Sequence, residues 1–107
     1  MDIITPIDSE FTKTKEAADK LVTKLGKGWS PVVWEEQEIG WHYQARKEFA
    51  IVTECMDIYT CYFNTPQKQF IRSSDNPRKA VNKCIIAAKR YIKSMNKNIE
   101  LFKFTFS

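Results

Sequence analysis

The sequence has 107 residues, 43% of them hydrophobic and 28% charged, which suits one globular domain and leaves no room for a second core. Aromatic residues make up 13%, which excludes a disordered chain, and no apolar run approaches the ~18 residues of a membrane span. Seventeen Lys and Arg outweigh 13 Asp and Glu for a net charge of +4, and three cysteines (Cys55, Cys61, Cys84) without a C-x-x-C pair suit buried thiols in a reducing compartment better than a disulfide framework. The first eleven residues carry Asp2, Asp8 and Glu10 and no base, so no secretory signal is expected and the expected compartment is the cytoplasm.

In chain order, Phe11, Ala18, Leu21, Val22 and Leu25 share one face at helical spacing, and Gly26 and Gly28 supply a stop. The spacing predicts a first helix over Thr12 to Leu25. Trp29 to Glu35 is short and rich in Val and Trp, and Pro31 favours an edge position for it. A turn through Glu36 to Gly40 leads to three more aromatic or β-branched runs, Trp41 to Lys47, Phe49 to Cys55 and Ile58 to Phe63, separated by short polar gaps as in an antiparallel meander. Gln69 to Arg72 reads as a short fifth strand or a loop.

Asn76 followed by Pro77 signals a helix start, because Asn can cap free backbone N–H groups and Pro at the first helical position loses no hydrogen bond. At ~100° per residue, Val81, Cys84, Ile85, Ala88, Tyr91, Ile92 and Met95 fall within ~120° of arc. Lys79, Lys83, Arg90, Lys93 and Lys97 occupy an opposite arc of ~80°, with Ile86 the one apolar residue among them. Residues 99–106 read as a last strand or a partner-binding arm, within a single domain spanning residues 1–107. The expected fold is α+β, an αβββ(β)α sandwich with an antiparallel sheet and both helices on one face. The other sheet face would then present aromatic residues to water, which suits binding or a homodimer.

Charge is segregated along the chain. Residues 29–57 hold two bases against six acids, net −4, whereas residues 76–107 hold eight bases against Glu100 alone, net +7. Five cations on one helix face repel one another, so they need either solvent or an acidic surface. The expected contact surface is therefore Lys79, Lys83, Ile86, Arg90, Lys93 and Lys97, with Glu35, Glu36 and Glu38 as a second patch.

Catalytic and metal chemistry find less support. His42 with Cys55 and Cys61 falls short of a zinc ligand set, and Cys55 and Cys84 read as small core residues. Gly26, Gly28 and Gly40 match no phosphate-binding loop, and three glutamates in a turn ordinarily form a solvated loop. Trp29, Trp34, Trp41 and Tyr43 could stack on exposed bases, but the adjacent acids would repel phosphate. No cofactor, no metal, no catalytic residue and no membrane association are expected.

The αβββα order resembles a double-stranded-RNA-binding domain, a family whose second helix opens with bases that grip phosphates. That resemblance implies nucleic-acid contacts from Arg78, Lys79, Lys83 and Arg90. A second set of residues, Gly28-Trp29, Pro31, Val33-Trp34-Glu35, Gly40-Trp41-His42-Tyr43, Pro77 and Ala80-Val81, resembles a pattern in small phage and prophage proteins. This resemblance implies a mobile-element origin, a bacterial host cell, and a stoichiometric, anti-CRISPR-like inhibitor that binds a host protein or nucleoprotein.

Overall fold

The computed structural model describes the backbone of residues 6–106 and the side chains of residues 9–95. It is an α+β fold: α1 (Pro6–Leu25), five strands β1 (Ser30–Glu36), β2 (Gly40–Lys47), β3 (Ala50–Cys55), β4 (Ile58–Asn64) and β5 (Gln69–Ser74), then α2 (Pro77–Phe106). The strands pair in sequence order, antiparallel throughout, so short turns suffice between them. Pro31 sits near the start of an edge strand, the kind of position to which strand prolines are confined. Gln69 opens a true strand, extending to Ser74.

Registers fix which residues share a face. Trp41, Tyr43, Ala45, Val52, Tyr59, Cys61, Phe63 and Phe70 turn toward the helices. α1 packs over β1 and β2 and α2 over β4 and β5, with Leu21, Leu25, Ala80, Cys84 and Ala88 closing the core from the helix side. The opposite face is open, and one row across it runs Arg46, Ile51, Tyr62, Ile71.

α1 begins six residues before the expected Thr12 and ends as expected: Gly26, at a φ of 101°, donates its N–H to the Val22 carbonyl at 2.9 Å. α2 begins where the Asn76-Pro77 signal places it. Asn76 Oδ1 accepts from the N–H groups of Arg78 at 2.9 Å and Lys79 at 3.3 Å.

Three expectations are corrected. Residues 99–106 continue α2 to Phe106 rather than forming a strand, because nothing in 77–106 interrupts the helical hydrogen-bond ladder. Cys55, expected in the core, is exposed at the end of β3, on the sheet face opposite the helices; Cys61 takes the buried position instead. Ile85 and Ile92 also leave the core. The buried arc of α2 is centred on Ala80, Cys84 and Ala88, with Ala87 and Tyr91 beside it, so the helix is rolled toward its small residues. Two alanines permit a close backbone approach to the sheet, at the cost of exposing both isoleucines.

Candidate functional site

The roll of α2 determines what its outer side presents. Lys79, Lys83, Arg90 and Lys93 are all exposed, and Ile86, among them, is half exposed. Among the described residues none of these four cations lies within ion-pair distance of a carboxylate; the ion pairs found are Lys15–Asp19 and Glu36–His42. Lys83 Nζ donates to the Ser73 carbonyl at 3.1 Å, which ties the row to the edge of β5. From Lys79 to Lys93 the row extends ~21 Å along the helix. Lys97 lies outside the residues whose side chains are described.

Arg78 has a different role. Its Nε donates to the Lys24 carbonyl at 2.9 Å, joining the end of α1 to the start of α2, so part of its donor capacity is spent within the fold. The three glutamates do not form one patch. Glu35 and Glu36 are consecutive in a strand and point to opposite faces, opposite Trp41 and Gly40 respectively, while Glu38 occupies the turn at a φ of 69°. Glu36 Oε2 lies 3.2 Å from His42 Nε2. β1 and these acids stand at one edge of the sheet, and α2 covers the other side.

The aromatic residues divide between the faces. Trp41 packs edge-on against Phe11 of α1 with centroids 5.2 Å apart, and Tyr43 donates to Glu54 beneath the helices. Trp34 is on the open face, stacked on His42 at 5.5 Å. The tryptophans and Tyr43 therefore do not assemble one stacking platform. Cys84 Sγ donates to the Cys61 carbonyl at 3.2 Å, and burial, with Cys84 beside it, pushes the Cys61 thiol up to about 12. Burial and the raised value both disfavour a thiolate at Cys61, which packs in the core. Among the described residues no group of three or more His, Cys, Asp or Glu side chains is disposed to hold a metal ion. No helix of the described residues is long and apolar enough to cross a membrane.

Two features escaped the sequence reading. The first is a polar cluster under α1, where Lys24 Nζ donates to the Tyr59 hydroxyl at 2.7 Å beside the Tyr43–Glu54 pair. Burial and then the Glu54 hydrogen bond push the Tyr43 hydroxyl well above its ordinary range. Burial works against the Glu54 carboxylate, but hydrogen bonds from Tyr43 and Tyr59 and the Lys24 charge hold it below the usual value. The hydrogen bond to Tyr59 raises Lys24. An open cleft of about 400 Å³ lies alongside, lined by Lys24, Tyr59, Asp75, Asn76, Pro77 and Arg78.

The second is an apolar groove between α2 and the β2–β3 turn, lined by Trp29, Phe49, Ala50, Phe63, Val81 and Ile85. Pairings across strands and turns create both features, so no local periodicity announced them.

The arrangement as a whole can attract and hold an anionic surface along α2. Comparisons with family models, curated proteins and solved structures return no match, so the reading of this chain rests on its own geometry.

Proposed function

We propose that this chain is a non-catalytic, phage-type accessory protein that docks on a host protein or nucleoprotein through the outer face of α2 and blocks it. The supporting observation is the exposed row Lys79, Lys83, Arg90 and Lys93 around Ile86, without a carboxylate partner among the described residues. Like charges gathered on one rigid helix oppose one another, and an acidic partner surface relieves that repulsion while Ile86 adds apolar contact. Glu35, Glu36 and Glu38 stand away from this row at the β1 edge, and a row of cations without carboxylate partners among the described residues favours fast, oriented encounter with an anionic partner. The compartment consistent with this role is the cytoplasm of a bacterial host.

A nucleic-acid-binding module is the second reading, favoured by the position of Lys79 and Lys83 just after the capped start of α2, as in double-stranded-RNA-binding domains. Five strands between the helices and the engagement of Arg78 with Lys24 weigh against it. Titration against duplex and single-stranded nucleic acid at several salt concentrations separates the two. The proposed protein-binding role predicts no salt-dependent binding to either form of nucleic acid. Tight binding with a steep inverse salt dependence would transfer the assignment to nucleic acid. Reversing Lys83 and Arg90 to Glu is expected to abolish partner binding with the fold intact, and retained binding would remove α2 from the account.

A further inference from the structure

The β2–β3 turn places a large apolar side chain where the fold has no use for it. Lys47 pairs with Ala50, leaving Glu48 and Phe49 as a two-residue loop. Such loops favour Asn-Gly, yet here Glu48 adopts a φ of 50° and Phe49 is 69% exposed. The tip is nevertheless held firmly, since the Asn64 N–H donates to the Phe49 carbonyl at 3.0 Å. On one side Phe49 walls a groove of about 190 Å³ floored by Trp29, Phe63 and Val81 and closed by Ile85. Phe49 also borders a second hollow, of about 320 Å³, with Asn64, Thr65 and Pro66. The roll of α2 carries the apolar stripe onward from Ile85 to Ile92, seven residues along and 52% exposed.

We propose that this groove receives an acidic amphipathic helix of the partner protein, an inference that rests on the protein-binding role above and names the kind of segment bound. Charge selects the occupant. Lys47 lines the groove, and on the wheel of α2 Lys89 and Lys93 fall between the Ile85–Ile92 stripe and Ile86, so cations border the apolar strip over its length. Glu48 is the one acid in the lining. A helix with leucine-like residues at i, i+3, i+4 and i+7 would seat its apolar side against Phe49, Ile85 and Ile92 and set flanking carboxylates on those lysines. A second copy docked face to face by two-fold symmetry would bring Lys47 and Lys89 against other positive residues, and a phosphate backbone would gain nothing from the apolar floor. Phe49, on a turn whose backbone is tied to the end of β4, is the anchor.

The test uses fluorescence anisotropy with the full chain and a fluorescein-labelled synthetic peptide of about 18 residues, five helical turns, carrying Leu at that spacing and Glu elsewhere. Controls are a scrambled peptide of the same composition and a nucleic-acid duplex; sedimentation velocity monitors self-association. The patterned peptide is expected to bind at least roughly tenfold more tightly than the scrambled one, and Phe49→Ser or Ile92→Asp to remove most of that difference. Both positions are solvent-facing, and thermal melts verify that the variants remain folded. Equal binding of the two peptides, no binding, displacement by the duplex, or a dimer that occludes Phe49 would each overturn the inference. Loss of partner binding on reversal of Lys83 and Arg90, with Phe49→Ser and Ile92→Asp without effect, would overturn the groove alone and leave the role of the basic face standing.

Discussion

Met56 and Asp57 show how much local conformational cost this chain carries. Together they form the two-residue turn between β3 and β4, with φ values of 49° and 64°, and Met56 is 93% exposed. Left-handed backbone costs a residue with a Cβ on the order of 1 kcal/mol, and Asn-Gly adopts the same turn with less strain. Replacing Met56 by Asn and Asp57 by Gly together is expected to raise stability by about 1 kcal/mol in urea titrations, and an unchanged midpoint would show that the turn is not strained. The cysteines make a second residue-scale case. Cys61 and Cys84 are fully buried, Cys55 is exposed, and the Cys61 thiol is pushed up to about 12. A chromogenic disulfide reagent at neutral pH should therefore titrate one thiol quickly in the native protein and all three after denaturation. Rapid native reaction of more than one would mean that the α2–β4 contact opens readily.

Elements meet through the cluster of Lys24, Tyr43, Glu54 and Tyr59, which ties α1 to three strands. Because the Glu54 carboxylate sits below its ordinary value in the folded chain, its contribution to stability is complete above the unfolded value of about 4.3 and is lost as pH falls through the folded value. The stability difference between the native sequence and Glu54→Gln is accordingly expected at pH 6–7 and should shrink as the pH falls below about 4, read from urea midpoints. A difference that persists unchanged at low pH would assign the effect to packing. This scale also shows what local pattern can and cannot convey. Asn76-Pro77 and Gly26 marked helix ends because capping is a property of neighbouring residues. The meander was legible from alternating apolar runs and short gaps. The roll of α2 was not, since Ile85 and Ile92 fit the apolar stripe as well as Ala80 and Ala87 flank it. Only the sheet's demand for close approach decides between them. The polar cluster and the Phe49 groove were likewise invisible, being made by cross-strand register.

Across the whole molecule, charge is sorted by architecture as well as by sequence. The acidic turn lies at the β1 edge, whereas α2, which packs on β4 and β5, carries Arg78, Lys79, Lys83, Lys89, Arg90 and Lys93 and no acid among its described side chains. The basic row was legible in the sequence because a single helix carries it at constant spacing. The supposed acidic patch was not, because a strand sends Glu35 and Glu36 to opposite faces. The separation leaves α2 without internal neutralisation among the described residues, and that property underlies the proposed docking role. The most direct measurement is affinity capture from bacterial lysate, with and without nuclease treatment, by the native chain and by Lys83→Glu/Arg90→Glu in parallel. The account predicts a stoichiometric protein partner retained by the native chain and lost from the folded double variant. Equal capture by both, or a partner that disappears with nuclease treatment, would contradict it.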